Sequence, residues 1–446
     1  MDYIVNTPCG AVQGCPGNVP GTAAYKGIRY ATAGRWEYPK QVTGWEGTYD
    51  ATAYGACSYQ PRSFYNEEEN LKKIFYYKEF RKGETYTYSE DCLFLNVFTP
   101  ENAKAGDKLP VLIYIHGGGF TGGCGHEKPF DGPIWPAEGI IGVTLNYRLG
   151  PMGFVCLPQL KEEAGYTGNY GLFDQMTAIQ WVRDNISAFG GDPENITIMG
   201  QSAGAASVQL HSTSPMTTGM FRKAVMSSGC GLGSLLSGDM EKSCAFWQAV
   251  MKMCGCGTLA QFRALPVETL FEAWQRARKE IKGGSAATFP VKDGRFSVDG
   301  AAVHDIPYMA GSTSEDIAPP ILQSMTRKWI AKRQTASYTW YFNRRLPGDD
   351  NGAWHSADLW YWFGTLGNCW RPMEEKDQEL SRQMVAYLSN FVRTGNPNKS
   401  GQLPTWIASD KGQKRVMMLG EQPTGMGKPN LFKMIKTMLT NKAVGE

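Results

Sequence analysis

Ile196-Thr197-Ile198-Met199-Gly200-Gln201-Ser202-Ala203-Gly204-Ala205-Ala206-Ser207-Val208-Gln209-Leu210 is the stretch on which the reading of this chain turns. Its first four residues form a short apolar run, the pattern of a strand buried on both faces. Residues 203–210 are small and apolar and read as a helix packed deep in the protein. Between the two, Gly200, Ala203 and Gly204 leave room for a sharp strand-to-helix turn that pushes the Ser202 hydroxyl out of the backbone. A G-x-S-x-G string is weak evidence in a chain with 52 Gly among 446 residues. The strand before it and the helix after it give it weight.

The same alternation extends outward. Pro110-Val111-Leu112-Ile113-Tyr114-Ile115 and Ile140-Ile141-Gly142-Val143-Thr144-Leu145 are continuous apolar runs, and Leu93-Phe94-Leu95-Asn96-Val97-Phe98 is a strand closed by Pro100. Ala178, Ile179, Trp181 and Val182 lie in an amphipathic helix that ends before Gly190-Gly191-Asp192-Pro193. Strands alternating with helices predict an α/β protein with a mostly parallel, doubly wound central sheet and helices on both faces. Tyr3, Val5, Ala11 and Val12 around Pro8-Cys9-Gly10 predict an N-terminal hairpin. Residues 61–90 are polar, charged and Tyr-rich and read as surface loop and short helix, whereas 231–290 read as helical. A helix is expected from about Glu374 to Arg393, with Leu380, Met384, Tyr387, Leu388 and Phe391 on one face and Gly395 and Pro397 stopping it. With no repeat and no Pro/Ser-rich linker, residues 1–446 are expected to form a single domain.

Composition excludes several classes. Hydrophobic residues at 42% and charged residues at 20% are globular proportions, not those of a disordered chain. A net charge of +3 gives no electrostatic case for nucleic acid. No apolar run approaches the roughly 18 residues of a membrane span. The N-terminus has no basic segment followed by an apolar one, so no secretory signal is visible. The 11 Cys are odd in number and show no Cys-x-x-Cys pair. Reduced thiols and a cytoplasmic location are the expectation. Cys254-Gly255-Cys256 is too tight for a zinc half-site and has no nearby His, so neither metal nor cofactor is expected. With 13 Trp, 21 Tyr and 20 Phe, an aromatic-lined cavity is.

His116-Gly117-Gly118-Gly119-Phe120 follows directly on the strand 110–115. Acyl transfer develops negative charge on a carbonyl oxygen, which backbone N–H groups stabilise where glycine lets the substrate approach. Gly118, Gly119 and Ala203 are the predicted donors. The loop also matches G-x-G-x-x-G through Gly117, Gly119 and Gly122. A dinucleotide site would need a helix next and an acid about 20 residues on. Gly123-Cys124-Gly125-His126 and Pro129 are poor helix material, and the next strand ends at Asn146-Tyr147-Arg148 without an acid. Gly427-Lys428 lacks the flanking residues of a phosphate loop.

A serine nucleophile needs a base, and in such folds the order along the chain is Ser, acid, His. His116 and His126 precede Ser202, His211 lies too far along the helix that Ser202 opens, and His304 leaves few acids upstream. Elimination points to His355. The acid is expected after the short strand 306–310, in Gly311-Ser312-Thr313-Ser314-Glu315-Asp316, where spacing does not separate Glu315 from Asp316.

Several longer motifs run in one order over nearly the whole chain. They include Tyr25-Lys26-Gly27-Ile28-Arg29-Tyr30-Ala31, Ser89-Glu90-Asp91-Cys92-Leu93-Phe94-Leu95-Asn96-Val97, Gly168-Asn169-Tyr170-Gly171-Leu172-Phe173-Asp174-Gln175 and Arg393-Thr394-Gly395-Asn396-Pro397-Asn398. With the elbow and the His-Gly-Gly-Gly loop, they resemble the type-B carboxylesterase/cholinesterase family. The resemblance implies an α/β-hydrolase fold and a serine carboxylesterase that cleaves small-molecule carboxylic esters through an acyl-enzyme on Ser202. It implies no cofactor and a monomer or small homo-oligomer. It assigns the acid to Asp316, supports His355 through Phe363-Gly364, and makes Ser228 a support for the histidine and Arg35–Glu90 a structural ion pair.

The chain also departs from the family pattern. No Trp lies between Cys57 and Cys92, and Gln201 stands where choline-ester hydrolases have Glu, so choline esters are not expected as substrates. Cys57 and Cys92 fall where relatives have a disulfide, but the partner of a Cys near 254 is replaced by Ala264, which implies a reduced protein. Only 39 residues separate Asp316 from His355. That implies a shortened region around 317–350 and a mouth wide enough for bulky esters of aromatic acids. A non-catalytic binding module on the same fold would lack a triad member, and here each is present.

Overall fold

Two parallel strands, Leu109–Ile115 and Gly191–Gln201, lie side by side at the centre, with Ile113 opposite Ile198 and Ile115 opposite Gly200. The computed structural model describes residues 2–71, 73–232, 238–398, 403–410 and 412–440. Around the central pair, eleven strands form one sheet: β1 (Cys15–Pro16), β2 (Thr22–Arg29), β3 (Phe94–Pro100), β4 (Leu109–Ile115), β5 (Ile141–Leu145), β6 (Gly191–Gln201), β7 (Lys223–Ser227), β8 (Tyr308–Thr313), β9 (Tyr338–Phe342), β10 (Val416–Leu419) and β11 (Gly425–Gly427). Their order across the sheet is β11-β10-β9-β8-β7-β6-β4-β5-β3-β2-β1. The run from β10 to β5 is parallel. Both margins are antiparallel, β3 pairing with β5 and β2, β1 with β2, and β11 with β10. The expected N-terminal hairpin forms from Ile4–Thr7 and Gly10–Gln13 and lies outside this sheet.

Continuous apolar runs are needed because both faces are covered. Along β4, Val111, Ile113 and Ile115 enter one core cluster and Leu112 and Tyr114 the other, following the two-residue period of a strand. The first cluster includes Leu172, Ile179 and Val182 from Tyr170–Asn185 and Val208 from Ala203–His211. The second includes Leu380, Met384, Tyr387, Leu388 and Phe391 from Glu375–Thr394, the face predicted from the sequence. Burying one such side chain stabilises the fold by roughly 1.5–3 kcal/mol. The stretch expected to be helical over 231–290 contains Met240–Met253 and Val267–Glu280; residues 233–237 lie outside the described residues.

Close approach explains the small residues of the elbow. A Cβ on Gly204 would sit 2.0 Å from the Ile115 carbonyl oxygen, and one on Gly200 would sit 2.3 Å from the Gly204 carbonyl carbon. The helix can therefore start almost on top of β4 and β6. Gly204→Ala is expected to cost about 1–3 kcal/mol of stability, as an overpacked site does. A lowered urea midpoint at unchanged slope is the readout, and an unchanged midpoint would contradict it.

The segment 61–90 forms the short helix expected of it, but a few of its residues are buried. Its short helix, Ile74–Phe80, buries Glu79 and Phe80 and presents Tyr76 and Phe80 to the main cavity. Its buried charges are paired: Arg371 donates to Glu79 at 2.7 Å and Arg62 to Glu127 at 2.6 Å.

Candidate active site

Ser202 follows β6 and precedes Ala203–His211, with φ 56° and ψ −123°. A non-glycine residue held there stores about 1–3 kcal/mol of strain. Its backbone is pinned on both sides: Ser202 N–H donates to the Ser227 carbonyl and the Ala206 N–H donates to the Ser202 carbonyl, each at 2.9 Å. The turn therefore fixes where the hydroxyl emerges.

Gly118 and Gly119 line the same cavity as this turn, with φ +104° and +62°. The Gly118 carbonyl accepts the N–H groups of Thr121 and Gly122 at 3.0 Å, which fixes the loop. A Cβ on Gly118 would come 2.1 Å from the Gly122 carbonyl oxygen. Among the described residues, no hydrogen bond runs from the amides of Gly118, Gly119 or Ala203 to a protein acceptor. Ala203 opens a helix, where an amide has no partner within the helix.

The acid left open by spacing is separated by geometry. His355 Nδ1 lies 2.5 Å from Asp316 Oδ1. Glu315 does something else: its N–H donates to the Ala353 carbonyl and its carboxylate accepts the Ala353 N–H at 3.0 Å, fastening the loop that carries His355. Trp354 anchors that loop from the other side, edge-on to Phe75 at 5.1 Å. Asp316 Oδ1 also accepts the Ile317 N–H at 2.9 Å, and Oδ2 accepts the Ser228 hydroxyl at 2.6 Å and the N–H and hydroxyl of Thr313 at 3.1 Å. Burial pushes the Asp316 carboxyl up, but the His355 charge, the bond to its ring and the Ser228 and Ile317 donors outweigh it and hold the group below its ordinary value. Ser228, expected to support the histidine from behind, bonds to the carboxylate that holds the ring.

Gly117, Gly118, Gly119, Ser202, Asp316 and His355 line a single cavity of about 410 Å³. That volume suits a drug-sized ligand. A profile of the Carboxylesterase family matches the chain in two overlapping segments, residues 1–337 and 317–438. Para-nitrobenzyl esterase of Bacillus subtilis (strain 168) is 37% identical over 491 residues, covering 94% of this chain and 95% of that protein. The chain belongs to the carboxylesterase family. It is a carboxylic ester hydrolase, and its mixed sheet with helices on both sides is the α/β-hydrolase fold. Bile salt-activated lipase of Mus musculus is 31% identical over 84% of this chain and 75% of its own length. A solved structure of PNB esterase superposes with a TM-score of 0.81 at 27% identity, covering 98% of this chain and 99% of that one.

Other features of this carboxylesterase bear on the site. His355 Nε2 lies 3.2 Å from Gln201 Nε2, and among the described residues no hydrogen bond joins His355 to the Ser202 hydroxyl. The Arg35–Glu90 pair forms, with Nε to Oε2 at 2.9 Å. Cys57 and Cys92 are both free thiols. No helix among the described residues is long and apolar enough to cross a membrane.

Sequence reasoning missed Asp358, three residues after His355. It is fully buried; its Oδ2 accepts from Ser227 at 2.6 Å and from the Trp362 indole at 3.1 Å, while Oδ1 has no hydrogen-bond partner among the described residues. Burial pushes its carboxyl up to about 6. Between the ordinary carboxylate value near ~4 and about 6, the folded state binds more protons than the unfolded one. This group's contribution to stability therefore falls as pH rises through that window and stays low above it. Asp316 has the opposite sign, since its contribution is lost as pH falls. Asp358→Asn should gain on the wild type by about 1–3 kcal/mol between pH 4 and 7. Urea unfolding across that range reads it, and parallel stability curves would contradict it.

Proposed function

We propose that this chain is a serine esterase that forms an acyl-enzyme on Ser202. The observation that carries the reading is the 2.5 Å contact between His355 Nδ1 and Asp316 Oδ1, in a cavity shared with the strained Ser202 turn. The Asp316 carboxylate accepts a hydrogen bond from the Nδ1–H, which keeps the proton on Nδ1 and leaves Nε2 with a lone pair. That lone pair faces the Gln201 amide; for reaction the Ser202 hydroxyl takes this place and gives its proton to Nε2 as the oxygen attacks the ester carbonyl. The unengaged amides of Gly118, Gly119 and Ala203 stabilise the oxyanion. His355 then protonates the leaving alcohol, and water repeats the sequence to release the acid.

The walls suggest the substrate class. Tyr76, Phe80, Tyr114, Phe130 and Leu359 line the same cavity and form an apolar, largely aromatic surface. Esters with a bulky aromatic group fit it better than small acetyl esters. Choline esters are disfavoured, because Gln201 supplies no charge where relatives that cleave them have Glu. A panel of p-nitrophenyl esters, acetate through decanoate, run beside benzoate and cinnamate esters, tests this. Higher kcat/KM for the aromatic acyl groups supports the reading; a strict preference for acetate contradicts it.

A further inference from the structure

One histidine of five serves the proposed chemistry, and packing accounts for three others. His211 bonds to Gln175 at 3.0 Å, His304 Nε2 to the Ser214 carbonyl at 3.1 Å, and His116 Nδ1 to the Gly117 carbonyl at 2.8 Å. His126 is different, because its neighbours are two thiols. The sulfurs of Cys57 and Cys124 and a ring nitrogen of His126 all lie within 4.8 Å of one another. Both cysteines are almost wholly buried, at 0% and 1% exposure.

The spacing fits coordination. Cys57 Sγ lies 3.6 Å from His126 Nε2. Zinc bonds of about 2.3 Å to sulfur and about 2.0–2.1 Å to nitrogen, at tetrahedral angles, put those two atoms about 3.5–3.6 Å apart. The imidazole plane is also set, since it stacks on Tyr54 at 4.5 Å with 8° between the planes.

Charge narrows the class of ion. Arg62 Nη2 lies 4.0 Å from Cys124 Sγ, but Arg62, Arg81, Glu67 and Glu127 form a chain of ion pairs that balances itself. Two thiolates then need two positive charges of their own in this buried setting, which a divalent cation supplies and a monovalent one does not.

We propose that Cys57, Cys124 and His126 bind one divalent, thiophilic d10 cation, zinc, with solvent in the fourth position. Two protons leave to solvent as the dithiolate forms, and nothing is oxidised or reduced. The consequence is structural. Gln60, three residues after Cys57, accepts the Gly123 N–H at 2.8 Å and donates to the Gly123 carbonyl at 3.1 Å. The ion would reinforce this link at a second point and tie the strand Cys57–Ser58 to the loop that carries Gly118 and Gly119.

The test uses the full chain, reduced and stripped with a chelator, then given one equivalent of Zn²⁺ and desalted. One zinc per chain and a thermal midpoint raised by several degrees are expected. Both effects should vanish in Cys57→Ser, Cys124→Ser and His126→Gln and persist in Cys92→Ser, which removes a buried thiol outside the cluster. Should the cluster variants fail to fold, Co²⁺ added to the wild type should give the intense near-ultraviolet absorption of sulfur ligation. Reduced wild type that retains no zinc, retention unchanged in all three variants, or Co²⁺ without sulfur absorption overturns the proposal. So does recovery of a Cys57–Cys124 disulfide peptide from protein purified without reductant.

Discussion

Ser202→Ala is expected to lower turnover of an activated aryl ester by about 10⁶-fold, with the fold left intact. The magnitude follows from the nucleophile and its base acting as one unit, so that removing either removes nearly all of their joint contribution. What survives is binding and the oxyanion amides, worth about 10³–10⁴-fold over water. The fold should persist because the turn is held by backbone bonds, from Ser202 N–H to Ser227 and from Ala206 N–H to the Ser202 carbonyl. Alanine keeps both and inherits the same positive φ. Steady-state kinetics beside a urea transition separate the two effects. Activity within tenfold of wild type at equal stability would contradict the nucleophile assignment.

Asp316→Asn should be the next most damaging, at about 10⁴-fold in kcat. The buried carboxylate accepts from His355 Nδ1 and so keeps the proton off Nε2. An asparagine can turn its amide toward the ring and donate, which moves the imidazole proton to Nε2, where it blocks proton uptake from serine. Glu315→Gln is the informative control. Glu315 holds the backbone at Ala353 and makes no bond to the imidazole, so a loss well below 100-fold is expected. A larger loss from Glu315→Gln than from Asp316→Asn would reverse the two roles.

Much of this was legible in the sequence, for identifiable physical reasons. The strands around Val111–Ile115 and Ile196–Met199 were readable because a sheet covered on both faces needs unbroken apolar runs. The elbow was readable because its small residues are dictated by contacts of about 2 Å that no side chain survives. Residues 61–90 form the expected loops and short helix, but the burial of Arg62, Glu79, Phe80 and Arg81 has a cause that local patterning cannot reveal. Glu79 looks like surface, but its partner Arg371 lies 292 positions away and both side chains are fully buried. A single carboxylate cannot announce that a distant guanidinium will cover it.

The adjacent acids posed a related problem. Glu315 and Asp316 are adjacent carboxylates that spacing does not separate, and the path of the Ala353–His355 loop puts Asp316 against the ring, as the family resemblance implied. Asp358 was hidden because an acid that follows a histidine by three residues reads as ordinary polarity, whereas its burial against Ser227 and Trp362 is a tertiary fact. The thiols show the same limit. A search for Cys-x-x-Cys spacing passes over Cys124-Gly125-His126, whose third partner, Cys57, comes from a strand 67 residues earlier.

The central claim is that Ser202 is an activated nucleophile, and titration with a serine-directed organophosphate tests it most directly. Intact mass and peptide mapping should find one adduct per chain, on Ser202, with activity falling in proportion to the label and no label on Ser202→Ala. Protein that loses no activity and carries no label at Ser202, or that is labelled elsewhere while still hydrolysing esters, would contradict the account.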